Sequence, residues 1–193
     1  MAEEAGQIIT DEEGEERDPQ DDARRRVALA QIRQYPDPAL RLEAREVVEI
    51  DDDVRRLAER MILLMRDAHG VGLAATQVGV LRRLFVFQTG EDDEATAVVN
   101  PTIVARSGET ESDEEGCLSL QGVLVPVERP VAITLAGTGL DGKPLELELE
   151  GLRARVVQHE ADHLDGVLII DRTSPEARRE ALAALRPPPG PRR

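Results

Sequence analysis

Val54, Leu57, Met61, Leu64 and Met65 recur at steps of three and four residues. That spacing lays apolar side chains along one face of a helix. Asp51–Asp53 stand just ahead of them, where carboxylates cap the positive end of a helix. The pattern predicts an amphipathic helix of about 15 residues, closed by Gly70 and Gly72. Five stretches then read as strands: 83–88, 96–99, 102–106, 131–135 and 145–149. The last alternates Leu with Glu, the mark of a strand with one buried and one wet face. A second helix is predicted over Leu152–Leu164. A third is predicted over Pro175–Arg186, with Ser174 as N-cap and Pro175 at the first helical position. Upstream, Tyr35-Pro36-Asp37-Pro38 reads as a turn, because each proline fixes its own φ and biases its predecessor away from helix. Helices and strands do not alternate strictly, so the expected fold class is α+β rather than a doubly wound parallel sheet.

The two ends break this pattern. Residues 1–25 carry ten acids against Arg17, Arg24 and Arg25, with little apolar material, and are expected to form an acidic disordered tail. Residues 187–193 hold four prolines and are expected to be a disordered C-terminus. A single domain is expected over 26–186. Of 193 residues, 40% are hydrophobic, enough for a core. Tyr35, Phe85 and Phe87 are the only aromatics, so that core must be aliphatic. The net charge is −15. An acidic chain without aromatic platforms repels phosphate and stacks no bases, which argues against DNA as a partner. No apolar run approaches the ~18 residues that span a bilayer, so no membrane partner is expected. The acidic N-terminus lacks the apolar segment of a signal peptide. Cys117 is the lone cysteine, which excludes an intrachain disulfide and points to a reducing, cytoplasmic setting.

Three segments carry candidate chemistry. In His159-Glu160-Ala161-Asp162-His163 the two histidines stand one turn apart on one helix face, so both imidazoles can reach one metal. Glu160 lies about 100° round the helix from His159, close enough to address water at that metal. The plainer alternative is a solvated helix that happens to carry two histidines. A catalytic site needs a third ligand. No histidine follows His163, and upstream stands Cys117 in Glu115-Gly116-Cys117-Leu118-Ser119. Its thiolate would suit a borderline cation, against the alternative of a buried, inert cysteine. The third segment is Gly70-Val71-Gly72-Leu73-Ala74-Ala75-Thr76-Gln77. Its small residues let backbone approach a ligand, and Gln77 offers an amide; a tight helix-to-strand connection would look the same.

Together, Gly-x-Gly-x-Ala-Ala-x-Gln, Glu-Gly-Cys-Leu-Ser and Gln-His-Glu-x-Asp-His, in that order, resemble the three signature motifs of the peptide deformylases. Tyr35-Pro-Asp-Pro-x-Leu-Arg41 resembles that family's N-terminal segment. The resemblance runs from about Ile32 to Asp171. It implies antiparallel β-sheets around a central helix that carries His159 and His163. It implies metal ligation by Cys117, His159 and His163, with one ion per chain, typically Fe2+ and replaceable by Ni2+, Co2+ or Zn2+. Glu160 would be the general acid/base, and Gln77 with the backbone N–H of Leu118 would stabilise the oxyanion. Val71, Gly72, Leu152 and Val156 match substrate-binding positions. Glu115 and Arg129 match an ion pair that steadies the Cys117 loop. The substrate implied is the N-terminal formyl-methionine of nascent polypeptides, hydrolysed to release formate. Two positions depart from the family pattern. Gln121 stands where proline is common, and Arg155 where an apolar pocket residue is common, so both would alter pocket shape or entry.

Two rival readings are a metalloprotease of the His-Glu-x-x-His type and a protein that keeps its metal structurally. The first lacks its downstream ligand. The second lacks a fourth protein ligand to close the site. The C-terminal end invites a further partner. From Arg172 onward six arginines face Glu176 and Glu180, a net of +4 (6 − 2) in a chain of −15. That end would dock the enzyme on the ribosome, or it is a solvated helix packed through Leu182 and Leu185.

Overall fold

The computed structural model describes residues 18–90 and 93–185. Its first element was not expected. Helix α1 (Pro19–Leu29) lies partly within the stretch read as a disordered tail. Acidity alone misleads here, because the acids sit where a helix start needs them. Asp18 accepts the Gln20 N–H as N-cap, Pro19 occupies the first turn, and Asp21 and Asp22 face the positive end. Ala28 and the following Ile32 are buried against Met61, Leu64 and Met65. The rest of the expected tail, residues 1–17, and the expected Pro-rich end, with Arg186, lie outside the described residues.

The Tyr35–Pro38 turn, which has a cis Tyr35–Pro36 bond, leads into a short 3-10 helix, Pro38–Arg41. Helix α2 (Asp52–Asp67) follows, with the Asp51 side chain accepting the Val54 N–H at 2.9 Å. Its Val54, Met61, Leu64 and Met65 are buried, and Leu57 packs beside them. Five strands form one antiparallel sheet: β1 (Gly72–Ala74), β2 (Leu84–Phe87), β3 (Thr96–Arg106), β6 (Ala132–Thr138) and β7 (Pro144–Glu150), in the order β1-β2-β3-β6-β7. Between β3 and β6 the chain leaves this sheet as a two-stranded antiparallel ribbon, β4 (Thr110–Glu115) and β5 (Val125–Pro130). The α+β class is therefore as expected.

Two predicted strands, 96–99 and 102–106, are one. Asn100 takes a positive φ and Pro101 offers no N–H, so the strand bulges there and continues. The Asn100 side chain ties the bulge to Val47, accepting its N–H at 2.8 Å and donating to its carbonyl at 2.9 Å. Helix α3 (Gly151–Leu164) packs on β1, β2 and β7 of the sheet and on β5 of the ribbon, so both sheets surround it. Helix α4 (Pro175–Ala184) begins at Ser174, whose hydroxyl accepts the Ala177 N–H. Its Ala181, Leu182 and Leu185 join Leu168, Ile169 and Ile170 in an apolar cluster under the ribbon.

Candidate metal centre

Helix α3 is buried along most of its length, and this brings polar groups inside. Arg155, Gln158, His159, Glu160 and His163 are all buried. Burying such groups is costly unless each has a partner, so their partners define the site. Cys117, just beyond β4, meets α3 there. Cys117 Sγ lies 3.2 Å from His163 Nε2. The ligand atoms of Cys117, His159 and His163 all fall within 4.8 Å of one another. The two imidazole rings stand 4.9 Å apart between centroids at 62°. The third histidine, His69, is elsewhere, with its Nε2 2.9 Å from Asp21 on α1.

This trio fits a divalent cation. One thiolate and two imidazoles suit borderline metals, and the three donors leave further coordination positions for water and substrate. Glu160 supports the fit from the other side: its Oε2 is buried without a hydrogen-bond partner. A buried polar atom without a protein partner marks a place for something absent from the protein alone.

The electrostatics separate the two carboxylates. Burial alone would raise Glu115, but hydrogen bonds from Arg129 and His159 outweigh it and bring its pKa down to about 2. Burial pushes Glu160 the other way, up to about 7, with Glu115 and Asp162 adding to the rise and His159 and Arg129 opposing it. A carboxyl near neutrality can both take and give a proton at working pH. Burial, then the charge of His159, holds His163 well below its usual range. His159 is raised well above its usual value, because contacts with Cys117 and Glu115 outweigh its burial.

Gln77 sits in a short 3-10 turn directly after β1. Its Oε1 accepts the Ala74 N–H at 2.8 Å, which aims its Nε2 at Ser119 Oγ, 3.1 Å away, and Cys117 Sγ, 3.7 Å away. Leu118 follows Cys117, its side chain buried in the core under α2 and its carbonyl accepting from Gln34 Nε2 at 3.0 Å. Gly72 is where β1 runs against Glu160: a Cβ there would lie 2.3 Å from Glu160 Oε1. Val71, Leu152 and Val156 share one apolar cluster between α3 and the sheet. Glu115 and Arg129 meet in a bidentate pair, with Arg129 Nε donating to Oε1 at 2.6 Å and Nη2 to Oε2 at 2.9 Å. Glu115 Oε2 also faces His159 Nδ1 at 3.1 Å.

Three residues of this network take roles that the sequence does not point to. Ser119 orients Gln77. Asp162 accepts from Arg129 at 2.9 Å and from Arg172 at 2.6 Å, which extends the network to the surface. Arg155 was expected to alter pocket shape or entry. Instead its guanidinium turns to Glu115 at 2.8 Å and to the carbonyls of Val127 and Glu111. The signal was available: Arg155, His159 and His163 follow at four-residue steps, and an arginine on a buried helix face calls for a carboxylate.

A buried Cys-His-His trio beside a carboxyl poised near neutrality is the arrangement of a mononuclear metallohydrolase. Residues 29–179 match the family described as "Polypeptide deformylase". The peptide deformylase of Desulforudis audaxviator is 46% identical over 148 residues, covering 77% of this chain and 96% of that protein. That of Thermotoga sp. strain RQ2 is 48% identical over 150 residues, covering 78% and 90%. Among solved structures, a peptide deformylase from Thermotoga maritima matches with a TM-score of 0.72 at 48% identity, covering 75% of this chain and 97% of that one. One from Synechococcus elongatus, in complex with actinonin, matches with a TM-score of 0.76 at 38% identity, covering 79% and 85%. The chain belongs to the polypeptide deformylase family. It is thus a hydrolase that removes the N-formyl group from nascent peptides.

Proposed function

We propose that Cys117, His159 and His163 hold one Fe2+, with Ni2+, Co2+ or Zn2+ as working replacements, and that Glu160 moves the protons of deformylation. The buried, partnerless Oε2 of Glu160 beside the Cys-His-His trio carries this reading. A thiolate with two imidazoles is the donor set that supports a borderline first-row cation. Such a thiolate stays available only in a reducing compartment, which supports a cytoplasmic enzyme. When bound, the cation supplies Lewis acidity and lowers the pKa of a coordinated water towards about 7.

This chain's own residues do the rest. Val71, Leu152 and Val156 offer an apolar wall for the methionine side chain, and Gly72 brings backbone close to the peptide. Glu160 takes a proton from the attacking water as its oxygen adds to the formyl carbon. Negative charge grows on the formyl oxygen, where Gln77 Nε2 and the Leu118 N–H donate to it. Glu160 then returns the proton to the nitrogen as the C–N bond breaks, which releases formate and a free methionine amine. At its ribosomal source of substrate, the basic segment from Arg172 onward serves as the contact.

Anaerobically purified protein should hydrolyse formyl-Met-Ala-Ser with about one equivalent of iron on the same sample. It should leave an unformylated peptide of the same sequence intact. Cleavage of internal peptide bonds instead would replace this reading with a metalloprotease. The iron form should lose activity in air through oxidation at the thiolate-metal centre, and the nickel form should keep it. Equal air stability of the two would point to a redox-silent working metal.

A further inference from the structure

We infer that Arg155 is a positioning residue that locks the Cys117 segment to the histidine helix through the Glu115 carboxylate. The inference rests on the reading of Cys117, His159 and His163 as metal ligands. It concerns a residue to which that reading gives no task.

Arg155 lies one turn before His159 on α3, and its side chain is buried. It leaves its own helix and crosses to the ribbon. Nη1 donates to Glu115 Oε1 at 2.8 Å and to the Val127 carbonyl at 2.9 Å. Nη2 donates to the Glu111 carbonyl at 2.9 Å. One guanidinium therefore grips both strands of the hairpin that leads to Cys117. The planar fork of arginine suits this, since three acceptors are met by donors fixed in one plane.

Glu115 is the hub. Its Oε1 accepts from Arg129 Nε and Arg155 Nη1, and its Oε2 accepts from Arg129 Nη2 and faces His159 Nδ1. All four acceptor positions of the carboxylate are thereby used. Glu115 Oε2 faces His159 Nδ1 at 3.1 Å, which fixes the ring and leaves Nε2 as the nitrogen that can reach a cation. Arg129 and Glu115 both belong to the ribbon, so their bidentate pair stiffens the ribbon itself. Arg129 donates directly to α3 at Asp162, at 2.9 Å. Arg155 is the guanidinium that comes from α3 to the carboxylate orienting His159. Arg155 also supplies buried positive charge to the buried Glu115 carboxylate beside that of Arg129. The geometry thus sets the distance between the strand end that brings Cys117 and the helix that brings both histidines.

The test uses full-length protein loaded with Ni2+. It follows the rate at which a chelator strips the metal, along with kcat and KM on formyl-Met-Ala-Ser. Arg155→Met, close in length but without donors, should release Ni2+ about 10–100-fold faster. Its kcat should fall in step while KM stays within about twofold. Arg155→Lys keeps the charge but meets fewer acceptors, and should fall between. In a Glu115→Gln background, Arg155→Met should add less than about threefold, since partners in one network are not additive. Three results would overturn the inference. One is wild-type metal retention in Arg155→Met. Another is a selective rise in KM, which would make Arg155 a pocket residue. The third is full additivity with Glu115→Gln. If Arg155→Met loses its helical circular dichroism, Arg155→Lys decides: faster metal loss at an unchanged melting temperature supports the role, and wild-type retention refutes it. A wild-type protein that binds no Ni2+ would sink the metal-centre reading itself, a distinct failure.

Discussion

Glu160 has one carboxylate oxygen without a protein partner, and burial lifts its pKa to about 7. Both features cost stability, and both suit proton transfer. Glu160→Ala should keep its metal, because the carboxylate is not one of the clustered ligands. Its turnover should fall by the ~10²–10⁴ of a lost general base. Metal analysis beside a formate-release assay checks this, and near-full activity would remove Glu160 from the mechanism. Cys117→Ala should lose metal and activity together. Gly72 gives a sharper test of position. A methyl group there meets Glu160 at Oε1, Cδ and Cγ, within 2.3 to 2.9 Å. The buried side chain has little room to swing aside, so Gly72→Ala should displace it. A misplacement of about 1 Å costs on the order of 10² in rate. That loss should appear in kcat with metal content unchanged. The Cys117, His159 and His163 cluster was legible in the sequence because these types are rare here: one cysteine and three histidines. Arg155 was not, because 23 arginines hide the one that turns inward, and only the ribbon's position reveals its partner.

The elements divide by how much of their information is local. Helix α2 carries its apolar stripe and its Asp51 cap in its own residues, and α3 and α4 likewise begin where the pattern places them. Strand β7 shows its alternation openly. The ribbon shows nothing comparable. β4 reads Thr-Glu-Ser-Asp-Glu-Glu, mostly exposed, and only pairing with β5 makes it a strand. β1 has three residues and hides inside a glycine-rich motif. Helix α1 reads as a tail because its burial comes from α2, far along the chain. Local information also has a measurable worth. The Asp51 side chain satisfies the Val54 N–H, which would otherwise lose its partner at the start of α2. Asp51→Ala should cost about 1 kcal/mol, within the usual range for a lost N-cap. For a domain of this size that lowers the melting temperature by roughly 2–4 °C. A thermal melt of the metal-loaded protein measures it, with the activity of the folded protein unchanged. No shift would mean that tertiary packing alone holds the start of α2.

At the scale of the whole molecule, charge is unevenly spread: −15 overall, yet +4 from Arg172 to the end. The two readings of this end no longer compete, because they use different faces. Ala181, Leu182 and Leu185 pack into the cluster under the ribbon, while Arg178 and Arg179 are exposed. Arg178 pairs with Asp171 at 3.2 Å and Arg179 with Glu176 at 3.3 Å, but exposed pairs of this kind contribute little to stability. The packing also decides how docking must be tested. The cluster that receives α4 contains Cys117 itself, so cutting the chain after Arg172 would disturb the metal site. A loss of ribosome binding would then have two causes. Reversing charge on the exposed face avoids this. The Arg178→Glu, Arg179→Glu protein should melt within a few degrees of wild type and should hydrolyse formyl-Met-Ala-Ser at the wild-type rate. If this face docks on ribosomal RNA, co-sedimentation of the wild type with ribosomes should fall steeply between ~50 and 200 mM salt. The reversed protein should fail to sediment even at the lower salt, because four units of charge separate it from the wild type. Equal co-sedimentation of the two proteins would leave α4 as packing alone. The enzyme would then have to meet its nascent chains by diffusion, against the repulsion between its own net charge and the ribosome's phosphates.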